Sequence, residues 1–154
     1  MRNKLFRNLI GPFMFFYSSL FSEEYHKGVY MTSWVAGSQK GTNLLEKIKE
    51  NDLNAVVIDM KDATGYVTYD SNLDFVNEIG SEEIRIRNKK LEDILNYCEN
   101  NDIRTIARIV IAKDPILAKY QNNKFAIFDK STNKHSQWVD LFSFEVQDYN
   151  IYIA

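Results

Sequence analysis

Two apolar runs in the chain end in the same charged pair. Asn54 to Asp62 reads NAVVIDMKD and Arg104 to Pro115 reads RTIARIVIAKDP, so Lys61-Asp62 and Lys113-Asp114 each stand where a buried strand would stop. Runs rich in Val, Ile and Ala with little polar alternation suit strands covered on both faces, as in a parallel sheet beneath crossover helices. In such folds chemistry gathers at the carboxyl ends of the strands. Side-chain alternation then sorts the residues by face. Val56, Ile58 and Met60 form one apolar set, leaving Val57, Asp59 and Lys61 opposite; Ala107, Ile109 and Ile111 likewise leave Ile106, Arg108, Val110 and Ala112. In an earlier run, Gly28 to Val35, Val29 and Met31 oppose Tyr30, Thr32 and Trp34. If the sheet curls into a barrel, Thr32, Asp59, Lys61 and Arg108 converge near its upper mouth with Trp34 beside them.

That grouping has the chemistry of a carbohydrate site. An indole face stacks on a sugar ring, and a partly buried carboxylate flanked by Arg and Lys accepts hydroxyl bonds or takes part in acid, base or nucleophilic work. Glycoside cleavage by the usual route needs two carboxyl groups across the scissile bond. Asp59 is one candidate, while Asp62 and Asp114 lie past their strand ends. Two structural readings stand beside this one: Asp59 and Arg108 as an interior ion pair that fixes register, and Trp34 as plain core packing. Lys113-Asp114-Pro115 most simply ends a strand, with Asp114 capping the turn that follows. Cys98 sits among Leu91, Ile94 and Leu95 at helical spacing, which reads as a small core residue. His26 and His135 have no ligand spacing with it, so a zinc site is not expected, and no cofactor is predicted. Gly37-Ser38-Gln39-Lys40-Gly41 lacks the spacing of a phosphate loop.

The elements that must position these residues follow from the same pattern. Gly28 to Val35 predicts a first strand, and Thr42 or Asn43 a cap for a helix to about Asn51 whose buried stripe is Leu44, Leu45 and Ile48. Asn54 to Met60 predicts the second strand. The segment from Lys61 to Arg87 is long, and its Tyr66-Val67-Thr68-Tyr69 run suits a small hairpin arm. Asn88 is placed to cap a helix bearing Leu91, Ile94, Leu95 and Cys98. Arg104 to Ala112 predicts the third strand. A second excursion follows Pro115, with one helical turn at Ile116-Leu117-Ala118 and a polar loop from Lys130 to Gln137. A third helix is expected over Glu145 to Ala154, beginning at Ser143. Strand alternating with helix three times is the signature of an α/β fold with parallel strands.

With 154 residues, 45% hydrophobic and 26% charged, there is room for one globular domain with a real core. A net charge of −2 gives no electrostatic reason to expect a nucleic-acid partner. Residues 1–22 differ from the rest. Arg2, Lys4 and Arg7 precede an apolar stretch from Leu9 to Phe21, the layout of a secretory signal peptide cleaved between Ser19 and Ser22. Leu20 departs from the small-residue rule for the cleavage site, so an uncleaved anchor is the alternative, and with it the one route to a membrane. Such a stretch is short of the roughly 20 residues that a permanent span needs. No cysteine follows it to carry a lipid. Removal of the leader leaves 16 Lys+Arg against 21 Asp+Glu, a net charge of −5. The expected location is accordingly exported: periplasm, cell envelope or outside the cell.

Several segments, taken in order, resemble one family. They are GVYMTSWVAGS from Gly28 to Ser38, NAVVIDMKD from Asn54 to Asp62 with Gly65, Glu78-Ile79-Gly80, Ala107-Arg108-Ile109-Val110 with Lys113-Asp114-Pro115, Trp138-Val139-Asp140, and Asp148-Tyr149-Asn150. Each is weak alone, but the ordered set resembles the bacterial DUF4015 family of glycoside hydrolase-like proteins and covers residues 26–154. The resemblance implies a glycosidase-type (β/α)8 barrel, with Trp34, Asp59, Lys61, Asp62 and Arg108 as pocket residues. Leu141 departs from the proline that the family places after Trp-Val-Asp. A complete (β/α)8 barrel takes about 250 residues, and about three β/α units are legible here, so a partial TIM barrel is expected. Family members continue into a fourth strand with an Asp-Tyr-Val-Arg-Phe-Pro-like segment suited to a catalytic acid. The expectation is a protein that acts on or binds a cell-envelope polysaccharide or oligosaccharide, inactive as a hydrolase by itself. The alternatives are a non-catalytic carbohydrate-binding or interaction module, self-associating through an exposed sheet edge, and a truncated gene product.

Overall fold

The computed structural model describes residues 25–154, so the leader assigned to residues 1–22 lies outside the described residues. Its elements run β1 (Gly28–Met31), α1 (Ser33–Ala36), α2 (Gln39–Glu50), β2 (Ala55–Lys61), β3 (Val67–Tyr69), α3 (Asp74–Glu78), β4 (Glu82–Ile86), α4 (Asn88–Glu99), β5 (Arg104–Ile109), α5 (Pro115–Asn123), β6 (Ala126–Asp129), β7 (Lys134–Val139) and α6 (Phe144–Ile153). β2 lies between β1 and β5, parallel to both, with Tyr30 level with Val57 and Asp59 level with Arg108. α2, α4 and α6 follow these three strands, giving the three units of a partial β/α barrel. The two long excursions leave from the carboxyl ends of β2 and β5, the end where a barrel keeps its chemistry.

Packing explains which faces are buried. Met31, Val56 and Ile58 form a first core with Leu45 and Ile48 of α2 and Ile94 and Cys98 of α4. Cys98 is thus the core residue its spacing indicated, and burial pushes its thiol up to about 11. A second core joins Val67 and Val76 to Leu117, Phe125, Val139, Val146 and Tyr149.

The structure changes several element boundaries. The first strand stops at Met31, because the Thr32 side chain accepts a hydrogen bond from the Val35 amide at 3.3 Å and starts α1. The alternation that placed Trp34 on a strand therefore fails at Thr32. α2 begins at Gln39 rather than near Thr42, capped by Ser38 Oγ, which accepts from the Lys40 amide at 3.2 Å. Asn88 is the first residue of α4, not its cap, and Leu95 faces solvent. The Lys61 to Arg87 segment holds more than an arm: β3 pairs antiparallel with the end of β2, and β4 adds in parallel to β3. The region from Lys130 to Gln137 holds the turn and much of the second strand of the β6–β7 hairpin.

The third strand ends at Ile109 and is largely exposed, in contrast to the two-sided burial inferred from its composition. Among the described residues β5 pairs with β2 alone, and its outer edge carries no strand. Asp114 caps α5 as its position indicated, its Oδ1 accepting from the Ile116 and Leu117 amides at 3.1 and 2.9 Å. α5 is longer than the single turn expected, although from Tyr120 onward its backbone leaves right-handed helical geometry. Ser143 stands at the N-cap position of α6.

Candidate functional site

A cleft of about 360 Å3 lies at the carboxyl ends of β1 and β2, walled by α1, Arg85 of β4 and Arg108 of β5. Asp59 is at its base and is only 4% exposed. Both its carboxylate oxygens are engaged: Arg108 donates to Oδ1 at 2.6 Å, and the Tyr30 hydroxyl donates to Oδ2. The Arg108 guanidinium also lies 5.7 Å from the centre of the Tyr30 ring, closing a three-residue network. Its hydrogen bond to the Asp59 carboxylate raises the Tyr30 hydroxyl's pKa and keeps it protonated, and a bond to the same carboxylate raises Arg108.

Asp62 forms the second acidic point. It accepts bonds from Arg85, from the Thr64 hydroxyl and from the Thr64 amide, the last at 2.8 Å. Burial opposes its ionisation, but the bonds from Thr64 and Arg85 outweigh that and hold its carboxyl below the usual range. Arg85 also binds Glu83 and donates to Ser33 Oγ at 3.2 Å. Its guanidinium lies 4.7 Å from the centre of the Trp34 ring and 5.9 Å from that of Tyr66. Trp34 remains 63% exposed, so one face of the indole meets Arg85 and much of the rest is open. Gly37 makes this apposition feasible. A Cβ there would collide with the Arg85 carbonyl oxygen, so only glycine lets α1 settle this closely on β4.

Of the residues singled out by sequence, Thr32, Trp34, Asp59, Asp62 and Arg108 line this cleft and Lys61 does not. The register explains the departure of Lys61. Asp59 is level with Arg108, whereas Lys61 is level with Ile109, the very next residue, because an irregularity at Met60 inserts one extra residue into β2. Neighbouring residues of a strand face opposite ways, so Asp59 and Lys61 are sent to opposite faces. Lys61 instead places its ammonium 2.8 Å from Asp114 Oδ2 and 2.8 Å from the Val110 carbonyl oxygen, to which it donates. The contact with Oδ2 is ionic and off the line of a hydrogen bond. The two Lys-Asp strand ends are therefore joined crosswise, Lys61 of one to Asp114 of the other. Thr32 contributes its hydroxyl to the α1 cap, which leaves it a wall residue.

Tyr30 and Arg85 also line the cleft, although the sequence pattern does not single them out. Alternation puts Tyr30 on the correct face, and the signal that selects it is its position one strand over from Asp59. Arg85 lies in a segment whose strand character rests on pairing with β3, which nothing local in Glu82 to Ile86 announces.

The sequence pattern of the DUF4015 family, described as a "Putative glycosyl hydrolase domain", matches residues 28–154. Among solved structures, the chain is similar to the crystal structure of a hypothetical protein from Ruminiclostridium thermocellum ATCC 27405. The two share 28% sequence identity with a TM-score of 0.69, over 81% of this chain and 67% of that one. No curated protein matches the chain.

Proposed function

The chain belongs to the DUF4015 family of glycosyl hydrolase-like domains, and on that premise we propose that its cleft binds a sugar unit of a cell-envelope polysaccharide or oligosaccharide. The observation that carries this reading is an indole left largely open beside two carboxylates, each held by its own arginine. Trp34 offers a stacking surface for a pyranose ring, and Asp62 and Arg85 offer acceptors and donors for its hydroxyls. Asp59, tied on both oxygens, orients Tyr30 and Arg108 at the base of the cleft.

The same chemistry argues for binding without turnover by this chain alone. Hydrolysis of a glycoside by the usual route requires a carboxylic acid that is protonated near neutral pH, in company with a second carboxylate. Asp62 is pushed the wrong way for a proton donor, and Asp59 has both oxygens committed to partners. The basic-then-apolar layout of residues 1–22 supports export as the route by which the cleft meets an envelope glycan.

The test is affinity electrophoresis of the purified chain against a panel of bacterial envelope polysaccharides, paired with a reducing-end assay. Retardation by at least one glycan is expected, weakened about tenfold or more by Trp34→Ala, with no release of reducing ends. Failure to bind any glycan, or binding indifferent to Trp34→Ala, would sink the site. Robust turnover abolished by Asp59→Asn would sink the claim that the chain does not cleave.

A further inference from the structure

A second and larger cavity, of about 590 Å3, opens between α3, the end of α5 and α6, on the second core and apart from the cleft that holds Asp59. That volume falls within the range of small-molecule sites. Its wall is aromatic. Phe75 meets Tyr120 and Tyr149 edge to face with ring centres 5.5 Å apart in each case, and Tyr120 stacks on Phe125 at 6.1 Å. Tyr149 is anchored by its hydroxyl, 3.0 Å from Ser81 Oγ, so it forms a fixed floor. Tyr152 stands exposed at the mouth.

The charged groups around this wall are nearly all acidic. Asp74, Glu78, Glu145 and Asp148 line the cavity against a single cation, Lys124. Lys124 is already committed: its ammonium lies 3.1 Å from Glu145 Oε1 and 4.7 Å from the centre of the Phe125 ring. The cavity thus already holds one ammonium between a carboxylate and an aromatic face. Among the described residues no cationic side chain pairs with Asp74, Glu78 or Asp148, and Glu78 accepts only the Tyr120 hydroxyl.

We propose that this cavity binds a small organic ammonium ion, its apolar body against Phe75, Tyr120 and Tyr152 and its charge toward Glu78 and Asp148. Aromatic faces attract cations, and uncompensated carboxylates around a low-dielectric wall deepen that attraction. A neutral apolar ligand would use the rings and waste the carboxylates. A metal ion is a poor fit, since hard cations take six or more oxygen ligands, and the described residues include no group of three acidic, His or Cys side chains placed to hold one. The site does not depend on the sugar-binding reading of the other cleft.

The test is calorimetric titration of the full chain with choline and with its neutral isostere 3,3-dimethylbutan-1-ol. Choline is expected to bind about tenfold or more tightly than the alcohol. Glu78→Gln and Tyr152→Leu, both at exposed positions and checked for unchanged circular dichroism, should each weaken choline at least threefold. Equal affinity for the two probes, no choline binding, or unchanged affinity in either variant would overturn the assignment.

Discussion

Replacing Lys61 by methionine should be the most damaging single change among the charged residues of this chain. Lys61 and Asp114 are each 0% exposed, and their contact ties the end of β2 to the start of α5. Methionine fills nearly the same volume, so the loss is electrostatic rather than a cavity. Removing one partner of a buried pair typically costs about 3–5 kcal/mol, because a charge is left buried and uncompensated. Asp114 would still accept amide bonds from Ile116 and Leu117 at 3.1 and 2.9 Å, which places the cost at the lower end, about 3 kcal/mol. The Val110 carbonyl also loses its donor, adding about 1 kcal/mol. For a chain of this size, that total lowers the melting temperature by about 10–15 °C. The measurement is thermal and urea denaturation followed by circular dichroism. Lys61→Met/Asp114→Asn removes both charges while keeping a side-chain cap acceptor on α5. It should therefore be less costly than Lys61→Met by about 2 kcal/mol. A Lys61→Met cost below about 1 kcal/mol, or a double variant as unstable as the sum of the two singles, would refute the reasoning.

Two further outcomes test other parts of the structure. Gly37→Ala should cost about 1–3 kcal/mol by overpacking α1 against the Arg85 carbonyl, and it should shift the tryptophan emission as Trp34 leaves its arginine neighbour; unaltered stability would show that α1 does not depend on this approach. Acid should lower the protein's stability through carboxylates held below their ordinary values. Hydrogen bonds from Ser131 and Thr132 hold Asp129 at about 2, bonds from its own backbone amide, Ser143 and Lys124 hold Glu145 at about 2, and Asp62 is lowered as well. The folded state binds fewer protons than the unfolded chain in this range, so stability is full above the ordinary values of 3.8 and 4.5 and falls as pH drops toward 2. Urea midpoints that stay flat between pH 5 and pH 2.5 would contradict this, and Asp129→Asn should make the decline shallower.

Composition and periodicity alone determined the parallel α/β plan, because runs such as NAVVIDM and the Leu45, Ile48 and Ile94, Cys98 stripes commit to a period within a few residues. The ordered segments from Gly28 to Asn150 likewise carried the family, and alternation was enough to bring Asp59 and Arg108 to one face. Tertiary structure decided the rest. Thr32 ended β1 through a cap bond that only the folded turn makes, which moved Trp34 from a strand to a helix and left it open to solvent. One extra residue at Met60 reversed the facing of Lys61, and an irregularity of a single residue leaves no periodic trace. Its buried partner, Asp114, lies 53 positions away in sequence and was chosen by the docking of α5, while Arg85 entered the cleft only because β4 pairs with β3. Local pattern can say which face a side chain prefers, but partners are assigned by long-range contacts, and those exist only once the chain has closed on itself.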